Sequence, residues 1–315
     1  MAGQNSRPLA TAVAERWMCP STRAFLEEAG QTPGYSRFDF LHGYVYARWP
    51  YLYIGVGTGE HRLAGIIVMI LRIINMIVGS TARRGSAAES YHGKVLTTQA
   101  ARQLVSVKQE IRLRDLEQVI PYSTARDIIL KNPDRIVALR CPCRSSRVEP
   151  CEPLDVCLIV GEPFAGFIAE HHPHRSRWID SEEACSILEN EHARGHVHHA
   201  FFKDAMLGRF YAICNCCRCC CGAMQAVRNG TPMLAASGYT STVDPQHCVG
   251  CGDCAESCPF AVMVVLDGAA QVDRARCMVC GVCVTTCELG AVTLVRDPAK
   301  GEPLEILALM DRAVP

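Results

Sequence analysis

The sequence lacks the patterns that mark several common classes of protein. No G-x-G-x-x-G stretch occurs, and the glycine run GVGTGE at 55–60 lacks the strand–helix setting that dinucleotide binding needs. We therefore expect no flavin or NAD within the chain. No C-x-x-C-H is present, which excludes covalently attached haem. The formal net charge is +0, so the chain as a whole has no attraction for nucleic acid.

Export signals are also missing from the start of the chain. MAGQNSRPLATAVAERW has neither an apolar core segment nor a twin-arginine pair. The chain nevertheless has 20 cysteines in 315 residues. In a reducing cytoplasm these are expected to be metal ligands rather than disulfides. We therefore expect a cytoplasmic protein of two to three domains, and oxygen-sensitive metal clusters would suit anaerobic metabolism.

The most regular cysteine pattern lies between Cys248 and Cys287. Each half of this segment reads C-x2-C-x2-C-x3-C, first at CVGCGDCAESCP and then at CMVCGVCVTTCE. Such a spacing lets one tight loop wrap several corners of a 4Fe-4S cluster. Gly252 and Gly281 permit the turns in which backbone N–H groups face the sulfurs. Zinc would use paired cysteines and disulfides would need an oxidising compartment, so the repeat favours two 4Fe-4S clusters.

Residues 240–298 resemble a bacterial two-cluster ferredoxin, a family that carries single electrons and folds as two βαβ-like halves. Pro259 follows Cys258 as in the family, whereas Glu288 takes the corresponding place after Cys287. In this family the fourth cysteine of each run binds the cluster of the other run. The resemblance implies one cluster on Cys248, Cys251, Cys254 and Cys287, and a second on Cys277, Cys280, Cys283 and Cys258.

Ten further cysteines lie in the middle of the chain and are candidate ligands of additional centres. The first group is Cys141, Cys143, Cys151 and Cys157, and the second is Cys214, Cys216, Cys217, Cys219, Cys220 and Cys221. Short predicted strands at 135–140 and 210–213 lead into the two groups, so both could meet at one edge of a small sheet. Ten thiols exceed the need of one cubane.

Neighbouring cysteines point in different directions and rarely serve one cubane together. The middle region therefore predicts one or two further iron–sulfur clusters, either sharing a loop or of non-cubane shape. Arg144 and Arg218 lie inside the motifs, where a cation lowers thiolate pKa and offsets cluster charge. A structural zinc, or reduced cysteines packed as small apolar residues, is the alternative; Cys185, within a predicted helix, suits the latter.

The order CPCR, CNCC-x-CCC and two-cluster ferredoxin, over residues 90–298, resembles a group of largely uncharacterised multi-cluster iron–sulfur proteins of anaerobic bacteria. That resemblance implies a redox role without a defined substrate. Residues 220–222, CCG, are also similar to a motif of heterodisulfide reductases, where it binds a catalytic non-cubane cluster. Here the triplet occurs once and lacks that family's long spacing.

The overall pattern predicts an α+β protein. Its expected parts are a helical N-terminal region at 1–95, a small α/β cysteine-rich domain at 96–238, and a two-cluster ferredoxin domain at 239–315. Within the middle domain we expect helices at 97–112, 123–130 and 180–191. Asp180 and Glu183 are placed as a capping box, and Gly195 as a helix stop.

The most apolar stretch, Leu63–Gly79, is predicted to be a helix. Seventeen residues are at the low end for crossing a bilayer, and Arg72 lies in the middle. Three interpretations stay open: a helix buried in its own or a partner's core, a helix lying in a membrane interface, and a true span. Association with the cytoplasmic face of a membrane is one consequence.

Charge is unevenly distributed along the chain. Residues 1–112 hold 13 Lys/Arg against 7 Asp/Glu, whereas residues 239–315 hold 5 against 10. A basic front and an acidic, electron-carrying end suit a protein docked between partners. We expect an electron-transfer subunit that relays single electrons within an oxidoreductase complex, with a flavin or metal centre on another protein. The alternative is an enzyme whose middle-domain cluster reduces a disulfide or a quinone.

Overall fold

The N-terminal region is helical, as expected. The computed structural model describes residues 18–78 and 87–313. Its first four helices are α1 (Pro20–Gln31), α2 (Arg37–Arg48), α3 (Pro50–Gly57) and α4 (Ala64–Val78). Proline in the first turn of α1 and α3 loses no helical hydrogen bond. A reciprocal capping box of Ser36 and Asp39 starts α2.

The middle of the chain builds one mixed sheet of eight strands. The strands are β1 (Tyr91–Leu96), β2 (Ile111–Leu113), β3 (Ile128–Leu139), β4 (Cys157–Glu162), β5 (Ser176–Ile179), β6 (Val197–Lys203), β7 (Arg209–Cys216) and β8 (Leu234–Ala235). Their order is β2-β3-β4-β7-β6-β1-β8, and β5 pairs with β3. All pairings are antiparallel except that between β1 and β8. Because β4 is antiparallel to both β3 and β7, the chain leaves β3 and β7 at the same edge.

Helices cover both faces of this sheet. They are α5 (Ala87–Ser90), α6 (Thr98–Ser106), α7 (Pro142–Ser145), α8 (Phe164–His171), α9 (Ser181–Ala193) and α10 (Gly222–Arg228). One face forms an aliphatic core with α6 and α9, around residues such as Leu104 and Leu188. The other face packs against the N-terminal helices and α8 through Phe25, Tyr46 and Phe164. This second core also contains most of the middle-region cysteines.

Two sequence-based assignments in the middle region are wrong. Residues 123–125 are bends, Asp127 forms an isolated bridge with Arg209, and 128–130 begin β3 rather than ending a helix. The alternation Ile128, Leu130 places apolar side chains on one buried face at period two, which tertiary packing favours over a helix. The helix expected over 97–112 ends at Ser106, and Ile111–Leu113 is strand β2.

The α9 helix matches its prediction more closely. Asp180 is its N-cap, and the Asp180 side chain accepts a hydrogen bond from the Glu183 backbone N–H at 2.8 Å. The helix ends at Ala193, and Gly195 adopts a positive φ of 78° just beyond it. The expected boundary at 95/96 falls inside β1, which pairs with β6 and thereby belongs to the sheet.

The C-terminal module consists of two small antiparallel sheets of two strands each and two short helices. It comprises β9 (Tyr239–Val243), α11 (Asp253–Glu256), β10 (Met263–Leu266), β11 (Ala269–Val272), α12 (Val282–Thr286) and β12 (Val292–Arg296). Strand β9 pairs with β12, and β10 pairs with β11, both antiparallel. A short 3-10 helix (Pro298–Lys300) and α13 (Ile306–Ala313) follow, and α13 packs on α6. The mixture of helices and antiparallel sheets confirms the α+β class.

The apolar helix α4 is not buried in the core of its own chain. Ile66, Met69, Ile70 and Ile73 are each 45–55% exposed, which contradicts burial in the core of the same chain; burial in a partner's core and contact with a membrane interface stay predictions. The side chains of Arg72 and Asn75, and residue Gly79, lie outside the described part of the chain. Within residues 18–78 and 87–313, no helix is long and apolar enough to cross a membrane.

Candidate metal centres

The eight cysteines of the C-terminal module form two spatial sets. Burial raises the pKa of Cys254, and the next contributions come from its neighbours Cys251, Cys248 and Cys287. The neighbours of Cys280 are instead Cys283, Cys258 and Cys277. We call these the outer set (Cys248, Cys251, Cys254, Cys287) and the inner set (Cys258, Cys277, Cys280, Cys283). This grouping is the one that the ferredoxin resemblance implies, and the assignment of each set to one cluster stays a prediction.

Local backbone geometry explains how short loops present these thiols. Gly252 and Gly281 precede α11 and α12 with φ of 95° and 84°, a left-handed conformation that glycine adopts without strain. Backbone donors near sulfur come from the β10–β11 sheet: Ala270 N–H donates to Cys248 Sγ at 3.3 Å, and Val262 N–H, just before β10, donates to Cys258 Sγ at 3.5 Å. Such hydrogen bonds stabilise thiolates and tune cluster potentials.

The two sets differ in their exposure. All four inner thiols are buried, whereas Cys251 of the outer set is exposed. The inner set lies against the sheet: Cys280 and Val282 pack with Val95 and Val197 in one small apolar cluster. Across the same contact, His192 Nε2 lies 2.7 Å from Thr285 Oγ1. Of the other outer thiols, Cys248 and Cys287 are half-buried and Cys254 is buried.

The ten middle-region cysteines separate into six and four. The first set, called here the six-thiol ring, is Cys141, Cys143, Cys157, Cys214, Cys216 and Cys221. Its members follow β3, open β4, end β7 and precede α10, and they line one enclosed, mainly apolar cavity. The expectation that both cysteine groups meet at one edge of the sheet is thus met, in a sheet larger than expected.

Contacts between sulfurs run around the ring. Cys141 has Cys143 and Cys157 as neighbours, and Cys157 also has Cys214, its cross-strand partner. Cys143 contacts Cys221. Cys221 in turn contacts Cys216, the last member of the ring, with 3.1 Å between their Sγ atoms.

The surroundings raise the pKa of two ring thiols, Cys141 and Cys216. The hydrogen bond to Cys143, together with burial, raises the pKa of Cys141 to about 12. For Cys216 a hydrogen bond to Cys221 lowers the pKa, but burial and nearby Cys214 outweigh it and raise the value to about 12. Thiolates are the form that binds metal. A cationic iron–sulfur core would offset the negative charge of these thiolates. The thiols of the six-thiol ring therefore fit an iron–sulfur cluster.

The remaining four cysteines make a compact group. Cys151, Cys217, Cys219 and Cys220, called here the four-thiol group, have all their sulfurs within 4.8 Å of one another. Cys217 also lines the cavity of the six-thiol ring. The sequence grouped Cys151 with its chain neighbours, whereas the fold joins it to the distant loop that follows β7.

One buried cation stands between the two groups of thiols. Arg144 is 1% exposed and has Cys141 and Cys217 among its neighbours. Its guanidinium donates to Glu191 Oε2 at 2.5 Å and to the Asn215 carbonyl at 2.9 Å. Arg144, which lies inside the first cysteine motif of the sequence, therefore also lies beside the thiols in space.

Other residues of the site have no local sequence signal. Three tyrosines are among them. Tyr46, Tyr91 and Tyr211 complete the cavity wall of the six-thiol ring, with 2.7 Å between the hydroxyls of Tyr46 and Tyr211. They come from three separate elements, so only their meeting in the fold identifies them. By contrast, Arg218, the second arginine of the sequence motifs, is exposed.

Comparison with known proteins bears on the C-terminal module. Residues 240–288 match the family model of the 4Fe-4S dicluster domain. This match supports a C-terminal iron–sulfur domain of ferredoxin type that binds 4Fe-4S clusters, and it covers the outer and inner sets. No curated protein and no solved structure matches the chain. The resemblance predicted for the chain as a whole stays a prediction.

Proposed function

We propose that this protein is an iron–sulfur electron-transfer subunit with three consecutive cluster sites. The outer and inner sets would each hold a 4Fe-4S cluster, and the six-thiol ring would hold a further iron–sulfur cluster. When bound, such clusters take up and release single electrons. The observation that carries the proposal is the packing of the inner set on the sheet whose edge bears the six-thiol ring, with Cys251 of the outer set exposed to solvent.

The chain's own part in this function is to hold the sites close together and dry. Phe260 and Met278, beside the inner set, also pack against the core that contains the ring cysteines. Ser237 fixes the same contact, since its hydroxyl donates to the Val279 carbonyl at 2.8 Å. A shared apolar boundary excludes water between two sites and keeps their separation constant.

The outer set offers a docking surface for a redox partner. Val249 and Leu289, next to Cys248 and Cys287, are 69% and 56% exposed. Exposed carboxylates surround them, at Asp253, Glu256 and Glu288. An apolar centre with an acidic rim suits a partner that presents a basic surface, because charge complementarity steers association. We propose that this partner is a flavin- or metal-containing oxidoreductase.

The opposite end of the chain would contact an anionic membrane surface through α4. Its exposed apolar side chains, Ile66, Met69 and Ile70, follow the exposed Arg62. The first 112 residues carry the excess of basic groups. An apolar helix face beside positive charge is the arrangement that binds lipid interfaces. Electron transfer would then take place at the cytoplasmic face of a membrane.

Iron and sulfide analysis of anaerobically purified protein tests the proposed function. Three four-iron sites predict about twelve irons and as many labile sulfides per chain. Cys157→Ser in the six-thiol ring should lower the iron content to about eight and leave the ferredoxin-type EPR signals of the reduced protein intact. The exposed Cys19→Ser variant is the matched control and should retain all iron. About eight irons in the unmodified protein would contradict the ring site.

A further inference from the structure

We propose that the four-thiol group binds one tetrahedral metal ion, zinc by preference, and that this ion clamps the two loops that carry the six-thiol ring. The proposal concerns Cys151, Cys217, Cys219 and Cys220 and goes beyond the proposed electron relay. It would make these cysteines a structural site rather than a station for electrons.

The distances favour a single ion. Cys219 Sγ lies 2.9 Å from Cys151 Sγ and 3.6 Å from Cys220 Sγ, and no two sulfurs of the group are more than 4.8 Å apart. Zinc binds thiolate at about 2.3 Å, which places tetrahedral ligands roughly 3.8 Å from one another. A cubane needs a wider set of thiolates, because its four irons and four sulfides stand between them.

The ferredoxin cysteines of the same molecule provide the contrast. Their spacing and the family match assign the eight thiols of the outer and inner sets to 4Fe-4S clusters. In the described part of the chain, the four-thiol group is the one group of three or more potential ligands that gathers within 4.8 Å. The cubane sites are therefore wider than this one in the same structure.

The loop sequence agrees with a small site. Cys219 and Cys220 are adjacent, and adjacent cysteines are poorly placed to reach separate corners of a cubane. Here the loop turns back on itself, since Cys220 N–H donates to Cys217 Sγ at 3.4 Å. Arg147 Nη2 donates to the Cys220 carbonyl at 3.2 Å. Outer hydrogen bonds of this kind orient metal ligands.

The position of the site gives the ion its role. Cys151 belongs to the loop between α7 and β4, whereas Cys217, Cys219 and Cys220 belong to the loop between β7 and α10. Ring cysteines flank both loops. One bound ion would join these two loops and thereby hold the ring thiols in position.

Metal analysis of two variants of the full chain tests the proposal. The anaerobically purified protein should contain about one zinc per chain. Cys219→Ser should bring the zinc content near zero and leave iron and labile sulfide unchanged. Cys157→Ser should lower the iron and labile sulfide content and leave zinc unchanged. Cys19→Ser should change neither the zinc nor the iron content. Added Co²⁺ should give the visible absorption of a tetrahedral thiolate site in the parent protein and not in Cys219→Ser.

Two results would overturn it. Absence of zinc from the parent protein, together with loss of about four irons and four sulfides from Cys219→Ser, would show that the group holds a cubane. A Cys151–Cys219 disulfide in the parent protein, found by mass spectrometry together with an absence of zinc, would show a redox pair instead. Neither result depends on the iron count at the ring, so failure here is distinct from failure of the proposed relay.

Discussion

Arg144 shows how a single residue connects the two groups of thiols to the rest of the fold. It ties the loop after β3 to α9 through Glu191 and to β7 through the Asn215 carbonyl. Burial raises the pKa of Glu191, but a hydrogen bond from His196 and the charge of Arg144 outweigh it and hold that pKa below its usual value. A carboxylate with a lowered pKa stabilises the fold above about pH 4.3 and ceases to do so as the pH falls through the lowered value.

Arg144→Gln should destabilise the protein by roughly 3–5 kcal/mol, because it leaves the Glu191 charge buried without its main partner. Urea unfolding under anaerobic conditions measures the change. Arg194→Gln is the matched control: Arg194 pairs with the other oxygen of Glu191 at 3.2 Å but is half-exposed. It should cost at most about 1 kcal/mol. Equal effects of the two substitutions would contradict a special role for Arg144.

At the scale of the element, the surroundings of α4 in the fold do not account for its composition. Its sequence is almost entirely apolar, yet four of its isoleucine and methionine side chains are exposed. Apolar side chains left in water on one helix indicate a surface that another phase or protein covers.

The double substitution Ile66→Glu and Ile70→Glu should abolish binding to vesicles that contain anionic lipid. Each buried isoleucine contributes about 1.5–3 kcal/mol, so the loss should exceed about tenfold in affinity. Cosedimentation with vesicles measures it. Leu307→Glu, on exposed Leu307 of α13, should leave binding unchanged. Equal binding by all three proteins, or none by the parent protein, would contradict membrane contact through α4.

For the whole molecule, the decisive relation is that between the C-terminal module and the sheet. Val282 is 1% exposed and packs with Val95 and Val197 beside the inner set. Val282→Asp would place a carboxylate in that apolar contact, which costs a few kcal/mol unless the module moves away. The module should then open from the sheet more often.

Hydrogen exchange followed by mass spectrometry measures this opening. Amides of β6 and of residues 237–239 should exchange on the order of a hundredfold faster in Val282→Asp than in the parent protein. Val264→Asp, at a half-exposed position of β10 in the same module, should leave these rates unchanged. If both variants exchange like the parent protein, the contact does not hold the module in place.

Some elements of the fold were predictable because their signals are local. The caps of α9, the strands that precede the cysteine motifs, and the α+β class follow from short stretches of sequence. The helix expected at 123–130 was wrong because β3 is fixed by pairing with β2 and β4, which lie elsewhere in the chain. Strand pairing of this kind overrides local preference.

The sequence by itself determined the C-terminal metal sites, because all eight cysteines lie within 40 residues, and the fixed spacing with two glycine turns leaves few ways to arrange them. Only the tertiary structure decided the division of the other ten thiols. They come from loops far apart in the chain, and the pairing of β4 with β7 decides which sulfurs converge. Chain order placed Cys151 with Cys157, whereas the fold turns one toward the four-thiol group and the other into the six-thiol ring.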